Sequence, residues 1–350
     1  MLNLNFPISV SHPKDFYDRR EVIASIRHIL QNPNPQSIMI RGERRIGKTS
    51  LLNIIMYYLA EWLPSSIGIQ LPHGDNIRSF NDFAKEILYR LSLDLDKDFR
   101  DAHATQFASV GQLVDAIMAL AANRTGIIVL FIDEFDATIA NCSSADAGKI
   151  LATINHLQEK TDLPFVTILT TTVQYPDVKN AEFIELMPFV ADDMVAMTLG
   201  LANRKTTFSD AALERLFYFS GGHPFLVKGI LRQLWLVYAG ETHITPAMVD
   251  RAVEAAANDA TIDATLKNIY MVHFSAIEKQ VMLQIAARKD ATGWKNSSPQ
   301  LTTAINQLRR RNYITIDNDG GLAFLSNFWQ NWLQNMDEYH DELALRKVKI

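Results

Sequence analysis

One stretch near the N-terminus, residues 42–49, constrains this chain more than any other, because it fits the pattern G-x-x-x-x-G-K-[ST] at every position. Residues 37–40, of which the last three are apolar, precede it and predict a short buried strand. Residues 50–60 follow with apolar side chains at helical spacing. A loop between strand and helix turns its backbone N–H groups toward one point, at the positive end of the helix, where a polyphosphate binds. A chance match in a Gly/Lys turn would not explain these flanking elements.

Each residue type in the loop has a chemical reason to be there. Gly42 and Gly47 allow tight turns and a close backbone approach that a side chain would block. Lys48 is expected to reach the β- and γ-phosphates, and the Thr49 hydroxyl to ligate Mg²⁺. The predicted nucleotide-binding residues of the loop are Gly42, Glu43, Arg44, Arg45, Ile46, Gly47, Lys48, Thr49 and Ser50.

A second strong element is the apolar run 127–132, which ends in Asp133 and Glu134. Such a run predicts a central parallel strand buried on both faces, and its C-terminal end is where open α/β sheets bind ligands. Asp133 is expected to hold Mg²⁺ through water, and Glu134 to activate the attacking water. Together with the loop, the acidic pair favours ATP hydrolysis over GTP binding or a non-hydrolysing switch. The simpler alternative is two exposed acids at a strand end.

Asp136 and a threonine run, residues 170–172, extend this prediction. Asp136 either supports the site from behind or is a solvated loop acid. The threonines follow a predicted strand at residues 164–169, where a hydroxyl is expected to sense the γ-phosphate beside Glu134. Because the three threonines are consecutive, the sequence does not decide which of them has this role. We include Thr171 among the predicted nucleotide-binding residues. The β-propensity of threonine explains the run equally well.

Two further stretches are candidates for nucleotide contact. Residues 16–21 precede a helical pattern, and they form either a helix entry, with Asp18 as cap and Phe16 as hydrophobic staple, or a contact of Phe16 and Tyr17 with the base. Residues 220–225 join two helices: two glycines end the first, and Pro224 lies in the first turn of the second. This is an efficient helix joint, and His223 is also placed to approach a nucleotide.

Composition limits the remaining possibilities. A chain of 350 residues with 48% hydrophobic content is long enough for two or three domains. Its net charge of −5 argues against wholesale electrostatic nucleic-acid binding, although it allows a local basic patch. The single cysteine, Cys142, excludes an internal disulfide and a multi-cysteine zinc site. No apolar run approaches the roughly 20 residues that cross a bilayer, and no secretion signal is apparent, so a cytoplasmic protein without membrane contact is expected.

The second half of the chain reads as helical, with patterns at residues 191–202, 209–219, 224–239 and 245–258. Residues 275–335 then show helix, helix, hairpin and a last helix, which is winged-helix order. We therefore predict an α/β core with a parallel sheet and helices on both faces, followed by a helical lid and a C-terminal winged helix. The predicted domains are 1–190, 191–260, 261–336 and a charged tail, 337–350, with joints near 188–191 and 259–275.

The winged-helix segment raises the question of DNA binding. Residues 275–335 contain seven Lys or Arg against four Asp or Glu, on an otherwise acidic chain. The predicted recognition helix carries polar residues and ends in Arg309, Arg310 and Arg311, which are candidate DNA contacts. An ordinary polar helix face, with a structural or protein-contact role, is the alternative.

Taken together, these motifs resemble the STAND branch of the AAA+-like P-loop ATPases, the signal-transduction ATPases with numerous domains. The resemblance covers residues 16–21, 42–52, 127–136 and 221–225 together with the terminal winged helix, and the Gly-Gly-His-Pro joint selects this branch. It implies a slowly hydrolysing ATP/ADP and Mg²⁺ switch that couples nucleotide state to homo-oligomerisation. It also implies nucleotide contacts from Phe16, Tyr17, Arg19, His223 and Pro224.

Two departures from the family pattern bear on function. Residues 173–185 contain only Lys179 as a cation, whereas AAA+ ring motors place an arginine finger there. Arg41, Arg44, Arg45 and Arg204 are the remaining candidates for that role. The chain also carries no sensor repeats or effector domain, so the resemblance implies a separate sensor or effector protein as partner. An initiator-type or transposition-regulator ATPase, which binds DNA through its winged helix, is the alternative function.

Overall fold

The computed structural model describes residues 9–17, 19–72, 74–95, 106–122, 126–159, 164–173, 175, 177–202, 206–287, 298–317 and 320–336. By their internal contacts these residues form two compact units. The first unit, called here the core unit, contains Val10–Glu43 and Gly47–Leu186. The second, the helical unit, contains the described residues of Met187–Ile350 together with Arg44–Ile46. The predicted tail, 337–350, lies outside the described residues.

The core unit is built on one parallel sheet. Its strands are β1 (Ser37–Gly42), β2 (Ile67–Gln70), β3 (Ile128–Ile132), β4 (Phe165–Thr171) and β5 (Ala181–Leu186). They lie in the order β2-β3-β4-β1-β5, and every pairing is parallel. Strands β3 and β4 are buried along their whole length, which agrees with the unbroken apolar run of β3. The predicted α/β core with a parallel sheet is confirmed.

Among its described residues the core unit has six α-helices: α1 (Arg20–Leu30), α2 (Lys48–Trp62), α3 (Phe80–Asp94), α4 (Val110–Ala121), α5 (Phe135–Ala140) and α6 (Ser144–Gln158). Serine side chains cap three of them, because Ser79, Ser109 and Ser143 each accept a hydrogen bond from the backbone N–H three residues later. The apolar faces of α3, α4 and α6 pack in one cluster with β2, β3 and β4. The sheet is therefore held rigidly, and its carboxyl edge presents the predicted site.

The helical unit contains α7 (Ala191–Leu201), β6 (Thr207–Phe208), α8 (Asp210–Ser220), α9 (Pro224–Val237), β7 (His243–Ile244), α10 (Pro246–Ala257), α11 (Ala260–His273), α12 (Ala276–Ala286), α13 (Pro299–Arg310), β8 (Ile314–Ile316), β9 (Leu322–Phe324) and α14 (Asn327–Asn335). Strands β8 and β9 pair antiparallel, and the short strands β6 and β7 pair parallel. The order of elements from α12 to α14 is helix, helix, hairpin, helix, as the sequence pattern indicates.

Helix α11 occupies most of the predicted joint at residues 259–275. It spans Ala260–His273, and Asp259 caps it by accepting from the backbone N–H groups of Thr261 and Ile262. The apolar side of α11 is buried against the C-terminal helix: the rings of Tyr270 and Trp332 are 6.0 Å apart, centre to centre. Burial of these large side chains favours a continuous helix over a linker. Whether the helical unit divides into a lid and a winged helix stays a prediction.

No helix among the described residues is both long and apolar enough to cross a membrane.

Candidate active site

The phosphate-loop sequence forms a tight loop between β1 and α2. Strand β1 ends at Gly42 and helix α2 begins at Lys48, so a loop of five residues, 43–47, joins the carboxyl end of the strand to the first turn of the helix. Gly47 has φ +103°, outside the range that L-residues adopt readily, while the space around its Cα is open. Its backbone angle rather than its size requires glycine. Arg45 also takes a left-handed conformation, φ 64°, at a cost of about 1 kcal/mol.

Lys48 folds back over the loop that precedes it. Its Nζ donates hydrogen bonds to the carbonyl oxygens of Gly42, at 2.8 Å, and Glu43, at 2.9 Å. The side chain is 8% exposed, and this burial lowers the pKa of the ammonium group, while nearby carboxylates, with Asp136 first among them, act to raise it. Lys48 is therefore a buried cation that is hydrogen-bonded to two neutral carbonyl groups. A negatively charged phosphate would bind its ammonium group more strongly than these carbonyls do.

Thr49 and Asp133 meet at the carboxyl edge of the sheet. The Thr49 hydroxyl donates to Oδ2 of Asp133 at 2.8 Å, and Asp133 is 4% exposed. The contact follows from the strand order, because β1 and β3 lie on either side of β4 and both end at the same edge. A hydroxyl and a carboxylate so placed are the hard oxygen ligands that Mg²⁺ prefers.

Glu134 occupies a strained position immediately after Asp133. Its backbone has φ 50° and ψ 52°, in the left-handed region, and it forms the N-cap of α5. Its backbone N–H is bonded to the hydroxyl of Thr170, at 2.9 Å, and to Oδ1 of Asp133, at 3.1 Å. The same Thr170 hydroxyl donates to Oδ1 of Asp133. Such strain persists only where the surroundings impose it, and it is common at functional sites.

The threonine beside the acidic pair is therefore Thr170, not Thr171, which corrects the residue chosen from the sequence. The Thr171 hydroxyl instead bonds locally, donating to the carbonyl of Val173 at 2.8 Å. Thr170 and Thr171 are the last two residues of β4, and successive side chains of a strand point to opposite faces. The sequence contains that alternation but not which face meets Asp133.

Asp136 is half-buried rather than a solvated loop acid. Its Oδ2 accepts hydrogen bonds from both the hydroxyl and the backbone N–H of Thr172, the latter at 3.2 Å. Tyr175 lies in the same region, with its ring 5.1 Å from that of Phe135. Burial, and then the charge of Asp136, raise the pKa of Tyr175 to about 12.

The predicted contacts of the N-terminal segment lie in the core unit. Phe16 and Tyr17 are half-buried, and burial, followed by the charge of Asp15, raises the pKa of Tyr17. Arg19 has φ 72° and is the N-cap of α1, without a side-chain capping bond, while Asp18, the predicted cap, lies outside the described residues.

Ser50, predicted to bind nucleotide, has a structural partner. Its hydroxyl accepts a 2.9 Å hydrogen bond from the backbone N–H of Val10, and Asn53 donates to the carbonyl of the same residue at 3.1 Å. These two bonds fix the chain ahead of Phe16 and Tyr17 to helix α2.

The Gly-Gly-His-Pro joint connects α8 to α9 through two left-handed glycines, Gly221 and Gly222. A Cβ on Gly222 would come within 1.9 Å of the carbonyl oxygen of Phe189, whose own N–H is bonded to the Gly222 carbonyl at 2.9 Å. No side chain fits at that position. Pro224 is the first residue of α9, as predicted.

The residue between them, His223, contacts the phosphate-loop segment that belongs to the same unit. Its Nε2 is 3.2 Å from the carbonyl oxygen of Arg44. The Arg45 guanidinium carbon lies 5.9 Å from the ring centre of Phe225, at cation–π distance. The joint is thus coupled to Arg44–Ile46 within the helical unit.

The three candidate DNA contacts have different environments. Arg309 and Arg310 are exposed at the end of α13. Arg311 is not available in the same way, because its Nη1 donates to Oε1 of Glu278 at 3.1 Å and to the carbonyl of His273 at 3.2 Å. Its guanidinium also lies 4.7 Å from the ring centre of Phe274. The prediction for Arg311 is corrected: this side chain ties α13 to α11 and α12.

The structure describes some of the candidate arginine-finger residues. Arg41 donates to Oε1 of Glu185 at 2.7 Å across β1 and β5. Lys179 is 67% exposed, with a loose ion pair of 3.9 Å to Glu159. Arg204 lies outside the described residues. Arg44 and Arg45 are loop residues of the helical unit, described above.

Comparison with known proteins decides the family. A family model described as an ATPase domain predominantly from Archaea matches residues 16–230, well over half of the chain. The chain belongs to this ATPase family. The matched range includes the phosphate loop, the acidic pair and the Gly-Gly-His-Pro joint. Members are P-loop ATPases, and the protein is therefore an ATPase of that class. No curated protein matches the sequence.

Solved structures agree on the fold. A Walker-type ATPase of Pyrococcus abyssi superimposes on 95% of this chain and 99% of its own, with a TM-score of 0.62 and 15% identity. The ORC2 protein of Aeropyrum pernix, solved as ADPNP-ADP complexes, covers 97% of this chain and 98% of its own, with a TM-score of 0.59 and 13% identity. A STAND protein of Pyrococcus horikoshii with a tetratricopeptide repeat sensor matches over 97% of this chain and 46% of its own, at 14% identity. Its TM-score of 0.44 does not establish a shared fold. At these identities the likeness is one of fold.

Proposed function

We propose that this ATPase is a STAND-type molecular switch, which binds ATP with Mg²⁺, hydrolyses it slowly and couples nucleotide state to self-association. The observation that carries the proposal is the joint's contact with the phosphate loop: His223 Nε2 lies 3.2 Å from the Arg44 carbonyl oxygen. A loop that rearranges around a different nucleotide would change the partner of His223 at the start of α9. A ligand shifts an equilibrium only through such differential contacts.

The proposed chemistry uses the residues at the carboxyl edge of the sheet. Lys48 would leave the carbonyls of Gly42 and Glu43 and bind the β- and γ-phosphates. Glu134 would accept a proton from the water that attacks the γ-phosphorus, as ADP leaves with the bridging oxygen. Thr170, which is bonded to the Glu134 backbone and to Asp133, would report on the γ-phosphate.

Thr49 and Asp133 fit a magnesium ion. Both offer hard oxygens, and these oxygens already lie 2.8 Å apart. No group of three His, Cys, Asp or Glu side chains that could hold a metal occurs in the described parts of the chain. Mg²⁺ does not need one, because it is usually held by one or two protein oxygens together with waters and phosphate oxygens. When bound, the ion would neutralise charge on the phosphates.

The remaining nucleotide contacts belong to the same proposal. Phe16, Tyr17 and Arg19 would contact the base side of the nucleotide. His223 and Pro224 would contact it from the helix joint. The output of the switch would be self-association and the binding of a separate sensor or effector protein. The described part of residues 173–185 has only the exposed Lys179 as a cation, which favours a switch over a ring motor with a finger at that place.

Sedimentation velocity tests the switch with three samples: wild type with ADP, wild type with ATP, and Glu134→Gln with ATP. Glu134→Gln should retain ATP and hydrolyse it at least about 100-fold more slowly, since general-base contributions are about 10² to 10⁴. The trapped ATP state should then sediment as a larger species than the ADP state. The same size distribution in all three samples, at protein concentrations spanning two decades, would count decisively against a nucleotide-controlled assembly.

A DNA-binding ATPase is the second candidate, favoured by one observation. Exposed Arg310 continues the face of α13 on which Gln300, Thr303 and Gln307 line an open cleft of about 340 Å³, and Arg309 is exposed at the same end of the helix. Duplex binding should weaken with salt, and Arg309→Ala with Arg310→Ala should reduce the salt slope by about two phosphate contacts. Lys179→Ala, an exposed lysine on the core unit, is the matched control. Absent or salt-independent binding removes this candidate.

A further inference from the structure

Two threonines at the end of β4 clamp the turn that carries Glu134. Thr170 is bonded to Asp133, the first residue of the turn, and Thr172 to Asp136, the fourth. Strands β3 and β4 pair only as far as Ile132 and Leu169. Beyond that point the backbone ladder no longer joins the two segments, so these side-chain bonds hold them together.

Glu134 lies inside this clamp. A left-handed conformation costs a non-glycine residue about 1 kcal/mol, and it persists where contacts on both sides over-determine it. On the first side are Asp133 and Thr170. On the second side is Asp136, the only acid of α5. Its Oδ2 accepts hydrogen bonds from both the hydroxyl and the backbone N–H of Thr172.

The charge of Asp136 also acts on the phosphate-binding lysine. Among the carboxylates that raise the pKa of Lys48 against the effect of burial, Asp136 has the largest influence, ahead of Glu43, Asp133 and Glu134. It likewise opposes ionisation of Tyr175, after burial. The charge of Asp136 therefore contributes to the electrostatics of the site, and its hydrogen bonds with Thr172 hold the carboxylate in place.

We propose that Asp136 and Thr172 are positioning residues for ATP hydrolysis: their hydrogen bonds fix the turn 133–136 to the end of β4 and so hold Glu134 where it activates water. The inference rests on the proposed role of Glu134. It predicts that loss of the clamp lowers kcat without weakening nucleotide binding. Thr172 is neutral and is not among the predicted phosphate ligands, and replacing Asp136 with Ala removes a negative charge near Lys48, which does not disfavour an anionic ligand.

Four variants test this: Asp136→Ala, Thr172→Val, their double variant, and Thr172→Ser. Asp136→Ala and Thr172→Val should each lower kcat about 10- to 100-fold, the range for residues that orient a catalytic group. The Kd for ADP should not rise more than about threefold in any of them, and the kcat of the double variant should be no lower than that of the poorer single variant, because both substitutions remove the same contact. Thr172→Ser retains the hydroxyl and should keep near wild-type kcat. Equal losses in kcat and affinity, additive losses in the double variant, or an inactive Thr172→Ser would each overturn the proposal.

A Glu134→Gln background separates this inference from the proposed function. If Glu134→Gln loses turnover while folded Asp136→Ala and Thr172→Val do not, the clamp is refuted and the role of Glu134 stands. If Glu134→Gln turns over ATP at the wild-type rate, the proposed role of Glu134 fails instead. In the Glu134→Gln background, Asp136→Ala should have no further effect on the residual rate, and an additional loss contradicts action through Glu134.

Discussion

The hydroxyl of Thr49 and the carboxylate of Asp133 are joined by a 2.8 Å hydrogen bond across 84 positions of sequence. Thr49 lies in the first turn of α2, and Asp133 follows the last residue of β3. The bond exists because parallel strands bring their carboxyl ends to one edge of the sheet. Lys48, bonded to the carbonyl at the end of β1, and Glu134 and Thr170, bonded to each other, lie at the same edge.

Removing the Thr49 hydroxyl should weaken Mg²⁺-dependent nucleotide binding. In Thr49→Val the oxygen that contacts Asp133 is lost, so ATP affinity measured with Mg²⁺ should fall at least about tenfold, the effect of one hydrogen bond to a charged group. Affinity without the metal should change little. Thr49→Ser retains the oxygen and is the matched control. Titration calorimetry with and without magnesium measures both, and equal losses in the two conditions would contradict the assignment.

Replacing Lys48 should separate binding from stability. Burial lowers the pKa of this ammonium below its ordinary value of 10.5, so the unfolded chain holds the proton more tightly than the native one. The resulting penalty on the native state is largest at low pH and disappears as the pH rises past 10.5. Lys48→Met should therefore unfold at a higher temperature than the nucleotide-free wild type at neutral pH, and the difference should shrink as the pH rises.

The same variant should lose nucleotide binding, because the cation that reaches the phosphates is gone. Thermal unfolding from about pH 6 to about pH 9.5 and an ATP-binding titration measure the two effects. Lys179→Ala, which removes an exposed lysine, should alter neither. A stability difference that grows with pH would show that the sign of the Lys48 pKa shift is wrong.

Gly74→Ala should lower turnover by moving the turn that carries Glu134. A Cβ at this buried position would lie 2.8 Å from the Glu134 carbonyl oxygen and 2.9 Å from the Thr138 backbone nitrogen, and neither of these backbone atoms can swing aside. We expect kcat to fall about tenfold or more, as small displacements of a catalytic group do, with ATP affinity retained. Gly148→Ala is the matched control, since it lies exposed in α6 with open space and should stabilise the protein by up to about 1 kcal/mol. Unaltered kcat in a folded Gly74→Ala protein would refute the tight contact.

Arg311→Ala should destabilise the helical unit, whereas Arg309→Ala and Arg310→Ala should not. Glu278 is 4% exposed, and its carboxylate is bonded to Arg311 and, through the capping box of α12, to the backbone of Ser275. Removing Arg311 leaves that buried charge unpaired, at a cost of about 3 kcal/mol. Denaturant unfolding at pH 7 gives the comparison. If all three substitutions have equal effects, Arg311 is not the interior residue described here.

Local pattern was enough for the core of the site. The phosphate loop, the buried apolar strand and its terminal acids are contiguous segments, and their periodicity and turn chemistry predict the strand, loop and helix around Lys48. Pro224 at the start of α9 follows from the same local rules, because its missing N–H is unneeded there.

Tertiary packing decided what local pattern leaves open. Thr170, Thr171 and Thr172 are chemically equivalent in sequence, and only the pairing of β3 with β4 places the first against Asp133 and the third against Asp136. In the sequence Arg311 cannot be distinguished from Arg309 and Arg310. In the structure its position at the end of α13 directs its side chain inward to Glu278. Tyr270 of α11 is buried against Trp332, a contact that the sequence pattern does not indicate. Which side chains meet across such distances depends on strand order and helix phase, which no single segment encodes.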